Sequence, residues 1–184
     1  MRSTTTLLFC WFFISFFQAC NDPNYNGDQY QAFESMDELN QQIVQSITTS
    51  NTDQLLQLLD NQLLLKDLLL ASEGESAQQI KDYMNTPKGK RALSVERIAQ
   101  KQRLAAFFST ALPQQLGDQV STLKNTGIEL VHQQAYEEGS PAQMQSYSLR
   151  LQAANGNSYT YDFKIIYWNG YYHLIEVAGF LNPI

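Results

Sequence analysis

The sequence predicts an α+β domain, with helices in the first half packed on a curved antiparallel sheet of about four strands in the second. Three observations carry that reading. Apolar residues between Met36 and Leu112 recur at spacings of three and four, with capping residues between the runs. After Gly127 they alternate with period two. Two turns, Asn155-Gly156-Asn157 and Asn169-Gly170, divide the alternating half.

Ser35-Met36-Asp37-Glu38 is a capping box, and Met36, Leu39, Ile43 and Ile47 line one face of a helix from about 36 to 49. Ser50-Asn51-Thr52-Asp53 ends that helix and caps the next. Ten of the sixteen residues from Leu55 to Leu70 are leucine. They surround the helix, so it must be buried on most sides or break and re-aim its faces, with Asp60-Asn61 as the break. The leucines read as core rather than as a partner surface, because Lys66 and Asp67 interrupt any heptad. Glu73-Gly74 closes the segment with a left-handed glycine cap. A short helix follows from Ser76 to about Asn85, and Thr86-Pro87-Lys88-Gly89 breaks the chain. The last helix is expected from about Ser94 to Leu112, with Val95, Ile98, Ala105, Phe108 and Leu112 along its apolar side and Pro113 as its stop.

In the alternating half, Ile128, Leu130 and His132 point one way. A two-residue turn at Asn169-Gly170 pairs Trp168 with Tyr171, Tyr167 with Tyr172, Ile165 with Leu174 and Phe163 with Glu176. A three-residue loop over 155–157 sets Leu151 against Tyr161, Leu149 against Phe163 and Arg150 against Asp162. The inner face is then Tyr147, Leu149, Leu151, Tyr161, Phe163, Ile165, Tyr167, Tyr172 and Leu174, to be covered by helices. The outer face is polar near Arg150, Asp162 and Lys164 but apolar near Ile166, Trp168, Tyr171, Ile175 and Val177. No second core is visible.

The first residues carry a different signal. Arg2 precedes an apolar run of 11 residues, Leu7 to Phe17, interrupted by Ser15. A membrane-spanning helix needs about 20, so residues 1–19 read as an export signal. Phe17-Gln18-Ala19-Cys20 resembles the lipobox of bacterial lipoproteins, although that family usually has leucine and a small residue where Phe17 and Gln18 stand. The resemblance implies that Cys20 becomes the lipidated first residue of the mature chain, carrying acyl groups such as palmitate. The other cysteine, Cys10, lies in the leader, and a lone thiol on a secreted domain would be a liability. Asn21 follows instead of aspartate, which by the same analogy favours the outer over the inner membrane. Residues 20–34 are polar and read as a tether, about 50 Å long at full stretch. Residues 35–184 form one domain.

That domain is similar to the NTF2-like superfamily, on the order of its elements and on its closing hairpin Tyr161-Asp162-Phe163-Lys164-Ile165-Ile166-Tyr167-Trp168-Asn169-Gly170-Tyr171-Tyr172-His173-Leu174-Ile175. It departs from the common family order, where a strand pair is inserted among the helices; cystatin-like sheets are the nearest rival. The resemblance implies a possible pocket between helices and sheet. Glu176 is the candidate acid or base for such a pocket, since a carboxylate on an apolar face has its pKa raised, but the preferred reading sets it near the sheet end with its carboxylate in water, so no catalytic residue is assigned.

Other chemistry is not signalled. Phosphate-loop, nucleophile-elbow and zinc-protease motifs are missing, and His132 and His173 have no ligating neighbours at metal spacing, so no metal or cofactor is expected. Beyond the leader lie 11 basic and 18 acidic residues, net −7, which disfavours nucleic acid. The resulting expectation is a lipid-anchored cell-envelope protein with a non-enzymatic ligand- or partner-binding domain. Trp168, Tyr171, Ile166 and Ile175 are its candidate partner or dimer face, since interfaces enrich Trp and Tyr. Stacking of sugars on the strand tyrosines is a weaker reading. The alternatives are an NTF2-like small-molecule pocket with acid/base catalysis, or a carrier whose apolar ligand lies among the leucines.

Overall fold

A computed structural model describes residues 31–184 apart from 60, 61 and 138, and leaves out the side chains of 62, 63, 76, 93, 94, 96 and 97. The expected leader, Cys20 and the expected break at Asp60-Asn61 lie outside the described residues. Helix α1 (Met36–Thr48) opens where its cap predicts, the Glu38 amide donating to Ser35 Oγ at 3.2 Å. It buries Leu39, Ile43 and Ile47 completely. Helix α2 (Thr52–Leu58) is capped by Asn51, whose Oδ1 accepts from the Gln54 amide at 2.9 Å. Helix α3 (Gln62–Ala71) begins across the expected break. Gly74 has φ −69° and caps the start of helix α4 (Glu75–Asn85), so it is not the left-handed stop of α3.

The chain breaks at Thr86, which is extended between two helices, but Pro87 starts the next helix at once. Thr86 Oγ1 accepts from the Gly89 amide at 3.1 Å, and Pro87 sits in the first turn, where its missing N–H has no intrahelical partner to lose. Helix α5 therefore runs Pro87–Ala106, well ahead of the expected Ser94. Gly89 passes so close to the end of α4 that a Cβ would meet the Tyr83 carbonyl oxygen at 2.2 Å. Glycine to alanine inside a helix normally gains about 1 kcal/mol. Here Gly89→Ala should lower the thermal midpoint instead; a rise would show that the α4–α5 approach yields freely.

Pro113 does not stop the chain either. A π-helical turn, Phe107–Ala111, intervenes, the Leu112 amide reaches back to the Phe107 carbonyl, and helix α6 (Leu112–Leu116) continues. The wider turn gives the proline ring room that an α-helix would deny it. The expected apolar side of this helix is also corrected. Leu104, Phe107, Phe108 and Leu112 are buried, while Ala105 is exposed, Val95 is 63% exposed and Ile98 55%.

The protein is α+β. A 3-10 turn, Gly117–Thr122, leads into strands β1 (Lys124–Ala135), β2 (Gln143–Gln152), β3 (Ser158–Trp168) and β4 (Tyr171–Val177), an antiparallel meander in sequence order. Strand β5 (Asn182–Pro183) pairs with the start of β3. At the far edge Phe33 forms an antiparallel bridge with Tyr172, so the end of the expected tether belongs to the fold.

Two registers differ from expectation. The β2–β3 loop does have three residues, but they are 154–156, closed by the Ala153 amide on the Asn157 carbonyl at 2.9 Å. Gly156 then takes the third loop position with φ +88°, which a side chain would resist. Leu149 consequently faces Tyr161 and Arg150 faces Thr160, a slide of two residues that keeps every side chain on its expected face. In β4 the pairs Trp168–Tyr171, Tyr167–Tyr172 and Ile165–Leu174 stand as expected. Ile175 is then bulged out of register, and Glu176 pairs with Lys164 while Val177 pairs with Phe163. A similar shift in β1 sets Leu130 opposite Tyr147 but His132 opposite Ser146, on the other face.

The main core lies between the inner sheet face and α1, α2, the end of α5 and α6, with Leu149, Leu151, Tyr161, Phe163, Ile165 and Leu174 as its floor. A second, smaller core was not expected. The chain crosses to the outer face between α2 and α3, and there Leu64 and Leu68 of α3 pack with Ala142, Ile166 and Trp168. The leucine-rich segment does re-aim its faces, as its all-round pattern requires: Leu55, Leu58 and Leu59 serve one core and Leu64 and Leu68 the other.

Candidate binding face

The outer face of the sheet divides in two. Its apolar half, expected to be available to a partner, is covered by the protein's own α3: Ile166 is fully buried and Trp168 is 1% exposed. Ile175 and Tyr171 are half-buried, Ile175 packing against the same cluster. Val177, assigned to this face by alternation, lies on the inner one because of the bulge.

The polar half is open. Side chains from β1, β2, β3 and β4 line a solvent-facing groove of about 490 Å³, among them Val131, Ser148, Thr160, Asp162, Lys164 and Glu176. Alternation explains their gathering, since Ser146 and Ser148 on β2 share a face with Asp162 and Lys164, their cross-strand neighbours on β3. Ser148 Oγ donates to Asp162 at 2.7 Å, and Asn182 Nδ2 donates to the same carboxylate at 3.3 Å. Lys164 Nζ meets Glu176 Oε2 at 2.7 Å, and beside the groove Arg150 meets Glu129 at the same distance. These exposed pairs contribute at most about 1 kcal/mol each, so they arrange charge more than they hold the fold.

Glu176 is therefore not the carboxylate of an aromatic pocket. The bulge turns it to the outer face, where its side chain is 47% exposed and paired. The bulged Ile175 carbonyl, freed from the ladder, accepts from Gln100 Nε2 of α5 at 3.3 Å. The aromatic face that was to line the pocket is packed: Phe107 stacks on Tyr161 at 5.6 Å between ring centres, and Tyr161 is fully buried. Its hydroxyl has no hydrogen-bond partner, and burial pushes its pKa up. The buried Asn40 amide of α1 is likewise unpartnered. An unmet buried hydroxyl costs about 1–3 kcal/mol. Tyr161→Phe should then be neutral or stabilising in urea denaturation, and a clear loss of stability would mean that the hydroxyl has a partner after all.

His173, expected on the outer face, is fully buried, with Nδ1 at 3.1 Å from the Gln31 carbonyl. A carbonyl oxygen only accepts, so Nδ1 carries the proton. Burial holds its pKa down at about 4, against a smaller upward push from that bond. His132 is exposed and bonds Gln134 at 3.1 Å. No group of three metal-ligating side chains occurs among the described residues.

Of the strand tyrosines, Tyr159 and Tyr161 are buried. Tyr147, Tyr167 and Tyr172 are half-buried on the inner face, beside an amide network in which Tyr147 donates to Gln145 at 2.9 Å and Gln133 to Gln143 at 2.8 Å. The described leucines of the carrier reading mostly fill protein cores, although Leu70 is 57% exposed. Sequence reasoning located the polar half of the outer face through Arg150, Asp162 and Lys164, with Thr160 beside them by alternation, but did not place Ser146 there or Val131, whose position depends on the β1 bulge. Compared with known proteins, the chain matches no family model, no curated protein and no solved structure.

Proposed function

We propose that this is a lipid-anchored cell-envelope protein, held to a membrane through acyl chains on Cys20, whose α+β domain binds a protein partner without catalysis. The observation that carries the binding half is the open polar groove beside β1. It offers hydroxyls, two carboxylates and an ammonium from neighbouring strands, which suits a partner segment carrying both signs of charge. Its carboxylates are engaged in cross-strand contacts, an arrangement for recognition more than for proton transfer. The anchoring half is supported by Leu7–Phe17 ahead of Ala19-Cys20, and Asn21 favours the outer membrane. The helices-then-meander order and the Asn169-Gly170 hairpin support an NTF2-like relationship.

Cells grown with labelled palmitate should yield labelled protein in the membrane fraction, and Cys20→Ser should lose both label and membrane association. Unlabelled wild type, or a labelled variant, would remove the anchor. For the groove, Thr160→Trp should reduce recovery of crosslinked partners from native membranes at least about tenfold with no change in thermal midpoint, since truncating or blocking an interface centre costs upwards of 2 kcal/mol. Equal recovery would remove the groove as the partner site.

A further inference from the structure

Helix α5 is charged unlike the rest of the chain. It holds six of the 12 basic residues (Lys88, Lys90, Arg91, Arg97, Lys101 and Arg103) and one acid, Glu96, for a net +5, whereas the remaining residues carry six basic and 17 acidic groups, net −11. Its packing is equally one-sided. Gly89 lies against the end of α4, Gln100 donates to the Ile175 carbonyl, and Leu104 enters the main core. On the opposite side Lys88, Arg91, Val95, Ile98 and Gln102 follow one another at spacings of three and four, which lays them in one stripe. All five are exposed, Val95 at 63% and Ile98 at 55%. On the adjoining α4, Tyr83 is 48% exposed.

Branched apolar side chains bracketed by lysine and arginine gain nothing from water. They suit a surface that presents anionic phosphates over an apolar layer. We infer that the α5 stripe is a contact surface for anionic phospholipid, which lays the domain on the bilayer beside its anchor. The inference rests on the proposed anchor for its setting, and the chain length fits. Ten residues lie between Cys20 and Gln31, the first described residue, a reach of about 35 Å at most. The strongly acidic remainder is repelled by the same lipid surface, so the charge asymmetry also sets orientation: α5 toward the membrane.

The test uses residues 20–184, which contain every element described, with Cys20→Ser so that no lipid is attached. Binding is measured by co-sedimentation with vesicles of phosphatidylglycerol and phosphatidylcholine, and with phosphatidylcholine alone. The expected result is binding to the anionic vesicles only, lost as salt rises toward 0.5 M, an ionic strength at which screening shortens to about 4 Å. Each basic residue near an anionic surface raises partitioning about fivefold, so Lys88→Gln with Arg91→Gln should lower it about twentyfold. Val95→Ser with Ile98→Ser should weaken it further, and because all four side chains are exposed, circular dichroism and thermal midpoints should not move. Equal binding to neutral vesicles, no binding to anionic ones, or variants that bind like wild type would overturn the inference. So would displacement from vesicles by equimolar single-stranded RNA, or salt-sensitive dimers without vesicles, which would make nucleic acid or a second copy the partner. The unlipidated chain separates the two proposals, since failure here leaves the Cys20 anchor standing and failure of palmitate labelling leaves this binding intact.

Discussion

Trp168→Ala should cost the domain about 3–5 kcal/mol, enough to leave much of it unfolded at 37 °C. The ring is 1% exposed and is the largest side chain in the small core, packed with Leu64 and Leu68 of α3, Ile166 of β3 and Ala142. Removing it opens a void that a short helix seated by two leucines cannot close. The measurement is urea denaturation followed by circular dichroism, with Trp168→Phe expected to recover more than half of the loss. A variant as stable as wild type would mean that α3 does not seal this face and that the outer apolar half is open to partners. The sequence holds two tryptophans, Trp11 and Trp168, so protein made from residue 20 onward has Trp168 as its single tryptophan. Its emission should be blue-shifted when folded.

The second large effect is on acid stability. The native state favours the neutral His173 ring, with its pKa near 4, whereas the unfolded chain takes up a proton at the ordinary value of about 6.5. Below pH 6.5 the unfolded state therefore binds more protons than the native one. Stability from this group is complete above pH 6.5, falls as pH drops toward 4, and amounts to about 3 kcal/mol over that window. Trp168 fluorescence during urea titrations at pH 7, 5.5 and 4 reads the change. His173→Gln should flatten the pH dependence in that interval while lowering stability at pH 7. An unchanged slope would show that the ring takes up its proton alike in the native and unfolded states. The bond to Gln31 ties this titration to the arm that carries Phe33 onto β4, so acid should loosen that arm first.

Cap residues and the tightest turn were legible because they act through local chemistry. Ser35 and Asn51 each hold the amide three residues on, and Asn169-Gly170 admits one hairpin geometry. The inner face was legible too, since a slide of two residues in β2–β3 leaves the alternation intact. What failed was whatever one extra residue decides. The bulge at Ile175 moved Glu176 from the core to the groove, and nothing in Leu174-Ile175-Glu176-Val177 advertises it, because the Gln100 side chain that donates to the freed carbonyl lies far away in sequence. Pro87 misled for a related reason, since a proline that ends one helix is equally suited to begin the next. The leucine run announced that its faces must be re-aimed but not which layer each would reach. Period alone does not say which side of a sheet a helix lands on, and so the candidate partner residues Ile166 and Trp168 were placed in solvent when they are core.

The crossing of the chain from one sheet face to the other has a consequence for biosynthesis. The helices are made first, yet Leu55, Leu64 and Leu104 all rest against β3 or its neighbours, which leave the ribosome last. Until residues 158–177 exist, each core lacks most of its floor. A nascent chain of this kind stays open through most of its synthesis, the condition in which a polypeptide threads through a translocation channel. Closing both layers with the final hairpin makes late folding a property of the topology itself.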